Sequence, residues 1–190
     1  CSSLRTGEIS PTSSLRGIGA DACHLTLVTS IFIPKSVRTV DEAFANDAQQ
    51  MTAINVDPDN SEYRSIDGVL FRKNMTELVR YPQAKGTTAR IDDARTFTLG
   101  RYAFFNCLNV NRIVSYAYVE NIDFTSGASS SQLVNDCFYG MNKAAVRVDL
   151  CGGTVNGADY TTRSSVWKGW GFNAYLMTQT VKFNTQGGSA

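Results

Sequence analysis

Ala43-Phe44-Ala45-Asn46-Asp47, Ala103-Phe104-Phe105-Asn106-Cys107, Cys137-Phe138-Tyr139-Gly140-Met141 and Val166-Trp167-Lys168-Gly169-Trp170 read as four worn copies of one phrase. Each sets a small or apolar residue before an aromatic and follows it with two variable residues, often with Asn or Gly second. A fainter fifth copy, Leu70-Phe71-Arg72-Lys73-Asn74, falls between the first two. The anchoring aromatics then stand at 44, 71, 104, 138 and 167, in steps of 27, 33, 34 and 29 residues. Self-similarity on that scale marks a solenoid, in which no unit covers its apolar face alone and neighbours must stack. The pattern therefore predicts an extended surface, with Phe104, Phe138 and Trp167 in the core.

Working outward, strand-like runs lie around these phrases. Leu27 to Ile33 is β-rich and closed by Pro34, which cannot donate to a ladder. Met51–Val56, Thr76–Tyr81, Asn111–Tyr116, Ala144–Asp149 and Thr180–Phe183 follow, several alternating apolar with polar residues as half-buried strands do. The segment from Ser65 to Phe71, followed by Lys73-Asn74-Met75 and then Thr76 to Tyr81, reads as a hairpin. Asp41 is placed to cap the turn at Ala43-Phe44.

Bulk composition narrows the function. The 190 residues are 43% hydrophobic and 18% charged, which describes a folded chain and excludes a disordered one. A net charge of +1, without a basic stripe, argues against nucleic acid as a partner. Nothing approaches the run of about 18 apolar residues that spans a bilayer. The surface, rich in Ser, Thr, Asn and Gly, fits an exported protein. Cys1, followed by Ser2-Ser3, predicts attachment through an N-terminal lipid, as at the head of a mature bacterial lipoprotein; an arbitrary chain boundary is the alternative. The five Cys residues show no CxxC spacing, so no metal is expected, and Cys107 and Cys137 read as small core fillers.

The run Ile54 to Phe71, continuing from Thr76 to Pro82, and the run Val28 to Val37 with its following Ala-Phe phrase resemble the BspA-like leucine-rich repeat family. The resemblance covers about residues 25–116 and thins beyond them; Asp47, Asn74, Met141 and Trp170 stand where that family carries Cys. It implies an α/β, β-rich leucine-rich-repeat solenoid with a strand ladder on one face, short helices or loops on the other, and an irregular C-terminal cap. The expected division is an N-terminal tether or cap at 1–24, repeats over 25–185 and a flexible tail at 186–190. The family's members are typically bacterial surface or secreted proteins, some resembling adhesins. The resemblance thus implies a non-catalytic module binding proteins of a host or cell surface, without a cofactor. A carbohydrate-binding surface protein of a glycan-uptake system is the alternative.

Candidate chemistry is sparse. His24, beside Asp21 and Cys23, reads as a cap residue and not as half of a Cys-His nucleophile. Asp57 to Glu62 lacks the glycine and distal glutamate of a calcium loop and reads as a turn. Gly152 to Gly157 lacks the Lys-Ser/Thr ending of a phosphate loop. An enzyme needs Asp92 or Asp93 to converge with Asp149 or Asp159. Tyr116, Tyr118 and Trp170 are the ligand-contact candidates, because aromatic side chains offer large contact area at small entropic cost.

Overall fold

The computed structural model describes residues 9–91, 96–122, 136–151 and 157–176. Thirteen short strands are described: β1 Gly17–Ile18, β2 Ser30–Ile33, β3 Thr39–Val40, β4 Ala53–Val56, β5 Tyr63–Ile66, β6 Val69–Arg72, β7 Glu77–Arg80, β8 Thr88–Ile91, β9 Thr96–Leu99, β10 Arg112–Ser115, β11 Tyr118–Ile122, β12 Arg147–Leu150 and β13 Asn173–Leu176. A helix, α1 Gly157–Gly169, precedes the last of them.

Strands distant in sequence pair in parallel, one coil onto the next. Ser30 pairs with Ala53 and Thr88 with Arg112, steps of 23 and 24 residues. The order β8-β10-β12-β13 forms a four-stranded parallel sheet, β2 pairs with β4, and β7-β9-β11 forms a second parallel ladder. Parallel strands need a long return path, and here each return is the rest of one coil. The molecule is a β-solenoid, as the repeat predicts.

The recurrent phrase forms the corner where the chain turns back. Ala45 N–H donates to Ala22 O at 2.7 Å, and Phe104 N–H to Cys137 O at 3.0 Å, so consecutive corners are hydrogen-bonded. Ala45, Asp47 and Asn106 take positive φ (57°, 55° and 54°), tightening the bend. The aromatics stack beneath it: Tyr81 on Phe104 at 5.3 Å, Phe104 on Phe138 at 5.8 Å, and Phe138 beside Trp167 at 6.4 Å. Phe44, Phe104, Phe138 and Trp167 are all buried. Cys107 and Cys137 fill space in the same core, and burial pushes both thiols up to about 12.

The fifth copy is corrected. Phe71 is buried, but it lies on β6 and not in the aromatic stack. Tyr81 occupies that position, and its N–H donates to Ala103 O at 2.7 Å. The 27-residue step arose from counting a hairpin residue as a corner. The hairpin read over 65–81 is present as antiparallel β6 and β7, but its first arm is itself folded: β5 and β6 form another hairpin, antiparallel across Asp67-Gly68, whose φ values of 48° and 72° belong to a primed turn. It is an insertion into one coil. Gly68 O accepts from Ile54 N–H, and Ser65 Oγ–H donates to Ile54 O. The hairpin thus docks on β4, and the β2–β4 pair does not continue into β8. A side chain at Gly68 would meet Ala53 Cβ at 2.9 Å, so this position requires glycine twice over.

Some sequence readings shift or fall outside the described residues, and others hold. Residues 143–145 are a 3₁₀ turn, so the strand read there begins at Arg147. The predicted strand at 180–183 lies outside the described residues, as do Cys1, the tail at 186–190, Asp92 and Asp93. Asp57 to Glu62 folds as a turn, in which Asp57 accepts from Asp59 N–H at 2.9 Å. Its neighbour Asn60, 1% exposed, donates to Pro34 O and Val37 O while accepting from Glu62 and Tyr63 N–H. One carboxamide thereby ties two coils together.

Candidate binding face

The outer face of the β8-β10-β12-β13 sheet is the most chemically distinctive surface described. Side chains alternate across a strand, so the second residue of each points into the coil and the first and third point out. Ala89, Ile113, Val148 and Ala174 are the buried second residues, and the register aligns them. The outward rows are then Thr88-Arg112-Arg147-Asn173 and Arg90-Val114-Asp149-Tyr175. Three arginines and a tyrosine therefore share one face, placed there by period two alone.

Asp149 is the pivot of this face. It is fully buried, yet it projects outward and is covered by two guanidinium groups. Arg112 Nε donates to Asp149 Oδ2 at 2.5 Å and Arg147 Nε to Oδ1 at 2.6 Å. Burial by itself raises the Asp149 carboxyl, but hydrogen bonds from Arg147 and Arg112 outweigh it and hold the group below its ordinary value. The Arg112 and Arg147 side chains stay 44% and 52% exposed. The Arg147 guanidinium also lies 4.8 Å from the centre of the Tyr175 ring, itself 46% exposed.

Beside β8 the hairpin leaves a pocket of about 240 Å³. Its floor is apolar: Val69, Phe71, Met75 and Tyr81. The Tyr81 hydroxyl is turned to Thr88 O at 3.2 Å. Around the mouth stand Thr88, Arg90 and the Lys85–Asp67 ion pair at 3.0 Å. A larger open groove runs past β1, β3 and the corner at Arg101-Tyr102. Its cations are engaged within the fold, Arg72 with Glu77 and Arg101 with Asp136.

Of the ligand candidates read from sequence, Tyr116 and Trp170 stand in different surroundings. Tyr116 follows β10, half-buried, with the Arg90 guanidinium 5.9 Å from its ring centre. Tyr118 opens β11, and its side chain lies outside the described residues. Trp170 is at another corner, half-buried, with Trp167 at 5.3 Å and Phe138 at 6.1 Å. Its faces are taken by the core, because the helix end folds it back onto the aromatic stack. Among the described residues no group of three or more His, Cys, Asp or Glu is placed to hold a metal. Asp149 is engaged by arginine, and Asp159 has no described side chain, so the convergent-acid site is not formed by described residues. His24 Nδ1 sits 3.0 Å from Asn46 O in the corner, with Asp21 and Asp47 near 4 Å. No described helix is long and apolar enough to cross a membrane.

Arg112, Arg147 and Tyr175 are not among the sequence candidates, and Asp149 is named there only as one acid of a convergent catalytic pair. Their signal is the aligned tetrapeptides Thr88-Ala89-Arg90-Ile91, Arg112-Ile113-Val114-Ser115, Arg147-Val148-Asp149-Leu150 and Asn173-Ala174-Tyr175-Leu176. Finding it requires the coil register, which the corner phrase alone misstates.

No family model matches the sequence, and no curated protein matches it. Two solved structures are similar. One is a leucine-rich repeat protein from Eubacterium ventriosum, 20% identical, with a TM-score of 0.49 over 78% of this chain and 51% of that one. The other is the pneumococcal vaccine antigen PcpA, 12% identical, with a TM-score of 0.43 over 90% of this chain and 61% of that one. The chain thus spans half to three fifths of the length of these neighbours. Its solenoid architecture rests on the register of its own coils.

Proposed function

We propose that this chain is a non-catalytic binding module of an exported, surface-associated repeat protein of the BspA-like type, and that a protein partner docks on the outer face of the β8-β10-β12-β13 sheet. One observation carries the reading: Arg112 and Arg147 stand on adjacent strands, half-exposed, sharing one buried carboxylate. Charged groups of this kind set register and specificity at an interface. Tyr175 adds contact area at small entropic cost. A stable complex on this face buries on the order of 1,200–2,000 Å² in total. Hydroxyl-radical footprinting of the purified chain with and without a captured extracellular protein tests it. Protection is expected at Tyr175, with Tyr139 at the corner unchanged; protection at Tyr139 and Leu108 alone removes the reading.

A second reading has its own observation. Phe105 and Tyr139 stack at 5.0 Å and 15° on the corner surface, and Tyr139 and Leu108 are 58% and 59% exposed. A flat aromatic ledge of this kind suits a sugar ring. Protection of Tyr139 by an oligosaccharide, with Tyr175 unchanged, decides for a glycan-binding surface protein.

A further inference from the structure

We infer that the partner presents an extended acidic segment to this face, with an apolar side chain just before its acids seated in the pocket between the Asp67-Gly68 turn and β8. The inference rests on the protein-binding reading above and deepens it. It begins with charge. Arg112 and Arg147 share the single carboxylate of Asp149, so Arg112 holds only part of a counter-charge. Each spends its Nε on Asp149. The terminal nitrogens of Arg112 have no hydrogen-bond partner among the described residues, and its side chain is 44% exposed. A guanidinium held at Nε by a buried carboxylate is fixed in place, with its outer edge presented for a second carboxylate.

The pocket supplies the apolar half. Val69, Phe71, Met75 and Tyr81 form its floor, and the Tyr81 hydroxyl is already committed to the Thr88 carbonyl. A hydrocarbon or aromatic side chain fits such a floor; a sugar, with a hydroxyl on nearly every carbon, leaves its polar groups unmatched there. This favours a peptide over a glycan.

Spacing joins the two halves. Thr88 at the pocket mouth pairs in register with Arg112, and Arg112 with Arg147. Adjacent strands lie about 4.8 Å apart, so the two guanidinium positions begin about one and two strand spacings from β8. An extended peptide crossing the strands advances about 3.3 Å per residue. An acid about two residues beyond the anchor therefore reaches Arg112.

Calorimetric titration of the full chain tests this with three probes: acetyl-Trp-Glu-Glu-Glu-Glu-amide, acetyl-Gly-Glu-Glu-Glu-Glu-amide and acetyl-Trp-Lys-Lys-Lys-Lys-amide. The first is expected to bind roughly tenfold more tightly than either of the others at low salt, and to weaken as salt screens the charges. Arg112→Gln leaves Asp149 paired with Arg147 and is expected to weaken the first probe by about three- to fivefold. Thr88→Trp crowds the pocket mouth and is expected to erase the advantage of Trp over Gly. Lys35→Gln, on a distant turn, leaves all three unchanged. Circular dichroism confirms that each variant is folded. Equal affinity for the Glu and Lys probes overturns the inference. So does an Arg112→Gln variant that binds normally, or Arg112-dependent binding of polygalacturonate with none of the peptide. A protein partner that protects Tyr175 yet binds Arg112→Gln at full strength removes the acidic segment and leaves the binding face standing.

Discussion

Arg80 and Arg112 lie in the same solenoid and do opposite work. Arg80 sits at the corner, 1% exposed, donating to Tyr102 O at 2.7 Å and to Ala45 O at 3.0 Å. It meets backbone carbonyls instead of a carboxylate, and burial pulls its guanidinium down to about 10. Arg112 sits on the outer sheet face, nearly half exposed, sharing Asp149 with Arg147. The corner spends its polar groups on closing the fold, whereas the outer face keeps charge in water. A buried polar group left unpaired carries a full desolvation cost, whereas an exposed ion pair changes stability little. The corner is therefore where substitutions unfold the chain, and the outer face is where they change stability least.

The sharpest way to break this contrast is Phe104→Ala. Its ring stacks between Tyr81 and Phe138 with no exposure, so truncation opens a cavity and costs about 3–5 kcal/mol. Urea denaturation followed by circular dichroism measures it; a loss below about 1 kcal/mol shows that the corner stack does not hold the coils together. Next comes Asn60→Ala, which strands the Glu62 and Tyr63 N–H groups and the Val37 carbonyl in a buried turn, while Pro34 O keeps its bond from Val37 N–H. A loss of roughly 2–4 kcal/mol is expected, with the turn's amide protons losing protection from exchange.

On the outer face the effects shrink. Asp149→Asn leaves Arg112 and Arg147 facing each other without a counter-charge, and is expected to cost roughly 1–2 kcal/mol near neutral pH. The sign with pH follows from the lowered carboxyl. A depressed pKa contributes stability that is fully present above the unfolded value, about 3.9, and is lost as pH falls through the folded value. Melting curves of the native chain and Asp149→Asn are thus expected to converge below about pH 4. A constant gap down to pH 2 means the carboxylate charge contributes nothing. The smallest effect is Arg112→Gln, below about 1 kcal/mol, since Asp149 keeps Arg147 and the lost partner was half in water. That corresponds to a melting shift of at most about 4 °C for a chain of this size. A larger loss means the outer face is structural after all.

The repeated aromatic phrase, read without coordinates, determined that the chain coils and which rings lie at the corner. Phe44, Phe104, Phe138 and Trp167 need cover on all sides, and no single unit supplies it. Strands at 30–33, 53–56, 77–80 and 112–115 were legible from alternation and Pro punctuation, and so was the antiparallel pairing within 65–81, but not the turn at Asp67-Gly68. β8, β9 and β13 were not, although they are no shorter than the strands that were. Tertiary structure decided the rest. The hairpin displaced Phe71 from the stack and put Tyr81 in its place, since an insertion changes the count of residues without changing the number of corners. The arginine clamp around Asp149 exists only through parallel register, which brings residues 112, 147, 149 and 175 side by side from different coils. Local sequence encodes which side chains point outward from a strand; which outward side chains become neighbours depends on how the coils stack.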